Sequence, residues 1–200
     1  MVVVVENLKE KSKMKIAIFG DSITNGFGMD EGGSSNILAR LIEKKEPDVK
    51  VLLHGINGDD TYGGLLRLKY VVEEKADLNF IFFGANDASP YHLIRPKEFQ
   101  DNLEQMIAQL DAKRTVLITP PFYNDDEPTH YSRLSEVELF RQATIDLAKE
   151  KSLKLIDIYQ VMLEQENPKA LLRVDGLHFT LEAYQLLVEK ILAAIKNFIQ

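Results

Sequence analysis

Five short, unbroken apolar runs recur along the chain, each separated from the next by enough residues for a helix: KIAIFG (15–20), VKVLLHG (49–55), LNFIFFG (78–84), RTVLITP (114–120) and LKLIDIY (153–159). A strand with one wet face alternates apolar and polar residues, whereas a strand covered on both faces reads as a continuous run, as in a parallel sheet. The intervening segments carry helical spacing. Leu103, Met106, Ile107 and Leu110 follow the i, i+3, i+4, i+7 rule, and Pro96 is placed to open that helix. Tyr184, Leu187, Val188, Ile191, Leu192, Ile195 and Ile199 repeat the pattern at the C-terminus, with Thr180 as the expected N-cap. Strands alternating with helices imply right-handed crossovers and a three-layer α/β/α sandwich around a five-stranded parallel sheet. No repeat, low-complexity tract or linker divides 14–200, which is read as one domain. Residues 1–13 are read as an N-terminal extension, with Met14 as an alternative start.

In a parallel sheet every strand delivers its carboxyl end to the same edge, and ligands bind there. The residues after the first three runs are Gly20-Asp21-Ser22-Ile23-Thr24, Gly55-Ile56-Asn57-Gly58-Asp59-Asp60-Thr61 and Gly84-Ala85-Asn86-Asp87. Glycine-bearing turns at successive strand ends let backbone N–H groups approach a ligand closely. Ser22 leaves its strand at a tight turn, which suits a nucleophile and equally suits an ordinary turn residue. Asp175 and His178 stand three residues apart across a glycine, just before the last helix. That spacing lets the carboxylate reach Nδ1 of the ring and leave Nε2 free to take a proton. Taken alone, the same pair reads as a helix-capping surface loop. Asn86 and the N–H groups of Gly58 and Ser22 are three donors that could surround a developing oxyanion. Each of them has an ordinary turn role as well. Asp21 and Asp87, which flank these positions, are assigned to turn scaffolding through side-chain to backbone hydrogen bonds.

Composition narrows the chemistry. The 200 residues contain no cysteine, which excludes disulfides, thiolate nucleophiles and cysteine-held metals. Lys and Arg total 24 against 31 Asp and Glu, a formal charge of −7, which argues against nucleic acid as a partner. His54, His92, His130 and His178 lack metal-ligand spacing, and Asp125, Asp126 and Glu127 read as a solvated acidic loop. No cofactor or metal is expected. No apolar run is long enough to span a bilayer, and MVVVV lacks the flanks of a signal peptide, so a cytoplasmic location is expected. There is no G-x-S-x-G, no P-loop, and Gly26, Gly28 and Gly32 do not form a dinucleotide fingerprint.

GDSIT, a glycine-bearing turn, GAND and DGLH occur in this order at the strand ends and before the closing helix. In this the chain resembles the SGNH (GDSL-type) esterase and lipase family over nearly all of 15–200. The resemblance implies a flavodoxin-like fold, with Ser22, His178 and Asp175 as a catalytic triad and Ser22, Gly58 and Asn86 as the oxyanion hole. It implies a small-molecule, lipid or carbohydrate ester as substrate. Leu53 and Asn57 depart from the asparagine and the small residue frequent at those positions in related members, which leaves subfamily and substrate open. The expected reaction is acyl transfer to Ser22 and hydrolysis of short-acyl or lysophospholipid-like esters. The alternatives are removal of O-acetyl groups from carbohydrate, and a non-catalytic module holding a phosphorylated ligand in the glycine turns. The connection 120–135 is long for a compact domain. Phe122, Tyr123 and Tyr131 either wall a substrate pocket there or pin the loop to the core.

Overall fold

The computed structural model describes residues 13–30, 33–124, 126 and 133–200. Five parallel strands form one sheet in the order β2-β1-β3-β4-β5: β1 (Met14–Gly20), β2 (Val49–Gly55), β3 (Leu78–Phe82), β4 (Thr115–Ile118) and β5 (Lys154–Ile156). That order is the flavodoxin-like one, with its reversal between β1 and β3. Pairing is in register at the carboxyl edge, where Gly20 stands opposite Gly55 on one side and Phe82 on the other. Ile16, Ala17, Ile18 and Phe19 of β1 are wholly buried, as its central place demands.

The helices α1 (Ile37–Lys45), α2 (Thr61–Glu73), α3 (Pro96–Leu110), α4 (Leu134–Glu150), α5 (Ile158–Leu163) and α6 (Leu181–Ile199) complete the layers. Helices α2, α3 and α4 pack in sequence with one another, while α6 packs with α1 and α5. Pro96 occupies the first turn of α3, and Thr180 Oγ1 accepts the Ala183 N–H at the start of α6. The apolar residues spaced along these two helices are buried from Leu103 to Leu110 and from Tyr184 to Ile195, while Ile199 is exposed at the end of α6.

The fifth run differs from the expectation. Only Lys154–Ile156 is strand, because Asp157 accepts the Gln160 N–H through its side chain and starts α5. A capping aspartate inside an apolar run thus converts the second half of a presumed strand into a helix. Residues 1–12 of the expected extension lie outside the described residues, and Lys13 leads into β1. Among the described residues no helix is long and apolar enough to cross a membrane.

Gly20 is required by contact, since a Cβ there would overlap the Phe82 carbonyl oxygen and Thr24 Oγ1. The carbonyl belongs to the neighbouring strand and has nowhere to retreat. Gly20→Ala should therefore lower the unfolding free energy by about 1–3 kcal/mol in urea titrations. An unchanged midpoint would show that the β1–β3 edge yields at no cost.

Candidate active site

Beyond Gly20 the chain folds into consecutive tight turns. The Asn25 N–H donates to Asp21 O at 3.0 Å, and the Phe27 N–H donates to Ser22 O at 3.0 Å. Asp21 Oδ1 accepts the Ile23 N–H at 2.9 Å, the scaffolding role expected of it. From α6, the Tyr184 hydroxyl donates to Ile23 O at 2.8 Å and fixes the turn from below. Ser22 is 5% exposed at the top of this turn.

The other half comes from the far end of the chain. Asp175 Oδ1 accepts the Leu177 N–H at 3.0 Å and the His178 N–H at 2.9 Å, while Gly176 takes a positive φ of 71° that lets the loop close. The second carboxylate oxygen lies 2.7 Å from His178 Nδ1. His178 Nε2 lies 2.9 Å from Ser22 Oγ, across 156 positions of sequence. Burial pushes the Asp175 carboxyl up, but the His178 ring and the two N–H donors outweigh it and hold the group well below the usual carboxylate range. Phe27 leans against the imidazole, with ring centroids 4.5 Å apart.

Gly58 and Asn86 lie on adjoining turns. The Asp59 N–H donates to Ile56 O at 3.2 Å, and Gly58 takes a φ of 73°, so residues 56–59 form a turn with glycine at its third position. The Gly58 N–H belongs to the middle peptide and, like the Ser22 N–H, has no partner among the described residues. Asn86 Nδ2 donates to Asp59 O at 2.8 Å, which ties the third strand end to this turn. Asn57 Oδ1 accepts from Asn25 Nδ2 at 2.8 Å, joining the Gly58 turn to the Ser22 turn. The departure at position 57 therefore has a structural use.

Two buried carboxylates underlie the site. Burial raises Asp21 to about 7, against the Ile23 N–H, with Asp87 and Asp59 adding repulsion. Burial likewise raises Asp87 to about 6, against hydrogen bonds from Thr61. Asp87 does scaffold, but at long range: its Oδ1 accepts the Thr61 N–H at 3.0 Å and the Thr61 hydroxyl, anchoring the start of α2 rather than its own turn.

Phe122 and Tyr123 are packed inward, at 6% and 1% exposure, and the Phe122 ring meets Tyr159 edge-on. Beside them the Asn124 N–H donates to Gly176 O at 2.9 Å and braces the Asp175 turn. Tyr131 lies outside the described residues. Not foreseen from the sequence are Arg67, Tyr184 as an anchor, Phe27, and the pairing of His92 Nδ1 with Asp60 Oδ2 at 2.7 Å. Of these only Arg67 left a trace, as a cation amid the apolar residues of TYGGLLRLKY. Among the described residues no three His, Asp or Glu side chains converge where a metal ion could sit.

Known proteins share this architecture. A lipase/acylhydrolase from Enterococcus faecalis superposes with a TM-score of 0.86 at 34% identity, over 92% of this chain and 96% of that one. An isoamyl acetate-hydrolyzing esterase of Saccharomyces cerevisiae is 27% identical over 92% of this chain and 87% of its own. A GDSL esterase/lipase of Arabidopsis thaliana has the same identity and coverage. In fold alone the likeness extends to the acetylxylan esterase Axe2 of Geobacillus stearothermophilus, with a TM-score of 0.68 at 21% identity over 91% of this chain and 94% of that one. The class is thus a carboxylic ester hydrolase. The GDSL-like lipase/acylhydrolase family model matches residues 18–186, and the chain belongs to that family.

The elevated Asp21 carboxyl carries a pH signature. The fold keeps its proton up to about 7, whereas the unfolded chain releases it near the ordinary value of 3.8. In that interval the native state binds the extra proton, so its stability falls as pH rises and stays lower above 7. Asp21→Asn removes this dependence while its side-chain oxygen can still accept from Ile23. The melting temperature of the variant minus that of wild type should therefore increase from pH 4.5 to pH 8. A difference that stays flat would mean Asp21 is ionised throughout.

Proposed function

We propose that this chain hydrolyses short-acyl carboxylic esters through an acyl-enzyme on Ser22. The observation that carries the reading is the continuous hydrogen-bonded line from Asp175 Oδ2 through the His178 ring to Ser22 Oγ, at 2.7 and 2.9 Å. The preference for a short acyl group rests on the relatives named for isoamyl acetate hydrolysis, which are aligned over most of the chain.

Ser22 Oγ attacks the ester carbonyl carbon as its proton passes to His178 Nε2. Asp175 holds the ring by Nδ1, fixes the tautomer that leaves Nε2 as acceptor, and stabilises the imidazolium that forms. Charge developing on the carbonyl oxygen is met by the Ser22 and Gly58 N–H groups and the Asn86 side-chain amide. Collapse of the tetrahedral intermediate breaks the bond to the alkoxide, which takes the proton from His178 and leaves as the alcohol. Water then attacks the acyl-serine and passes a proton to His178. A second collapse releases the acid and returns that proton to Ser22. The donors are fixed before charge appears, so they cost no reorganisation during the reaction.

An ester panel tests the reading: a p-nitrophenyl acyl series, lysophospholipid and acetylated xylan, each run beside Ser22→Ala. The expected result is hydrolysis strongest for the short acyl members and lost in Ser22→Ala. His178→Ala should lose turnover nearly as completely, because members of one catalytic unit do not contribute additively. Asn86→Ala should retain activity reduced by about 10²–10³-fold. A fluorophosphonate probe should label wild type and not Ser22→Ala. Hydrolysis that survives Ser22→Ala would overturn the mechanism, and a preference for lysophospholipid or acetylated xylan would replace the substrate class.

A further inference from the structure

Arg67, on α2, lies beneath the carboxyl ends of the first two strands with its side chain only 14% exposed. Its guanidinium donates to Gly20 O from Nη2 at 2.8 Å, to His54 O from Nη1 at 2.9 Å, and to Asp59 Oδ2 from Nε at 2.7 Å. The group lies 4.5 Å above the Phe19 ring, which supports the buried charge. One planar fork thus holds the strand that ends before Ser22, the strand that ends before Gly58, and the residue after Gly58. A lysine ammonium could not reproduce this, since its donors do not diverge in one plane.

Asp59 is the hinge of the arrangement. Its N–H closes the turn that displays the Gly58 N–H, its carbonyl takes the Asn86 Nδ2 hydrogen bond, and its carboxylate is clamped by Arg67. The carboxylate occupies space left by Gly63, one helical turn before Arg67. A Cβ at position 63 would overlap Asp59 Oδ1. The other end of the turn is held too, because the Ile56 N–H donates to Gly20 O at 3.3 Å, the same carbonyl that Arg67 grips.

We infer that the Arg67–Asp59 clamp is the positioning element of the oxyanion site, setting the Gly58 N–H and the Asn86 amide against Ser22. Neither side chain touches substrate. Their effect passes through the two donors, and it rests on the esterase reading above. Donors placed about 1 Å off lose much of their contribution to the transition state, while binding of the uncharged ester is little affected.

Three variants test this by separate routes. Arg67→Met removes the fork, Asp59→Asn removes the charge on its partner and leaves the two strand-end carbonyl bonds, and Gly63→Ala displaces the carboxylate. Gly63→Ala also improves intrinsic helix propensity, so it separates loss of positioning from loss of stability. Each should lower kcat by about 10-fold or more with KM changed less than about twofold. In an Asn86→Ala background the same substitutions should cost much less than they do in wild type, because one of the donors they position is already gone. Independently of turnover, the Gly58 amide resonance should shift in Asp59→Asn and Gly63→Ala. Where Arg67→Met does not fold, these two variants decide.

Unchanged kcat in folded variants, fully multiplicative losses with Asn86→Ala, or an unmoved Gly58 resonance would each overturn the inference. A wild type whose hydrolysis survives Ser22→Ala would instead overturn the esterase reading, and the Gly58 resonance would still judge the clamp.

Discussion

A sheet whose strands all run one way and are covered on both faces has a single edge where loops converge, and those loops bring backbone polar groups that must find partners. Here the partners are each other. Gly20 O takes the Ile56 N–H and the Arg67 guanidinium, Asp59 O takes the Asn86 amide, and Asn57 takes the Asn25 amide. The N–H groups of Ser22 and Gly58 are among those at this edge with no partner among the described residues. The turns that carry these two groups are held by the Asn25–Asn57 and Asn86–Asp59 bonds, so their N–H groups have fixed directions.

Beneath that edge the packing is unusual in its charge. Asp21 and Asp87 are almost wholly buried, and Oδ2 of Asp87 has no hydrogen-bond partner among the described residues. Burial explains why both carboxyls hold their protons to unusually high pH. Asp87 is joined through Thr61 to Asn102 of α3, whose Nδ2 donates to Thr61 Oγ1 at 3.0 Å, so the third strand end, α2 and α3 share one polar knot. Buried polar groups of this kind are costly singly and specific together. They fix which helix meets which strand end where apolar packing alone would tolerate sliding.

Much of this was legible in the sequence because the signals were local and redundant. Continuous apolar runs located all five strands, and Pro96 and Thr180 marked the two helices they open. The Asp175–His178 spacing could be read because the loop closes on itself across Gly176. What escaped depended on contacts between distant segments. Nothing near Arg67 announces that its partners are residues 20, 54 and 59, and nothing near Tyr184 points to Ile23. The fifth run misleads because Asp157, set within an apolar stretch, acts as a cap. Phe122 and Tyr123 were ambiguous for a related reason: an aromatic residue in a long connection looks the same whether it faces a ligand or the core.

The Asp175–His178 loop is also the lead-in to the last helix. It is stapled to the preceding segment by the Leu172–Phe179 bridge, by Arg173 N–H donating to His178 O at 2.7 Å, and by Thr180 N–H donating to Leu171 O at 3.0 Å. The imidazole is therefore carried by the lead-in to α6, whereas the serine sits in the turn that follows β1. Residue 22 is synthesised 156 positions before residue 178, so the contact between them forms only once the lead-in to α6 has docked on the turn after β1. Loosening of α6 would part that contact and the Tyr184–Ile23 bond together, while the strand pairings of the sheet involve neither.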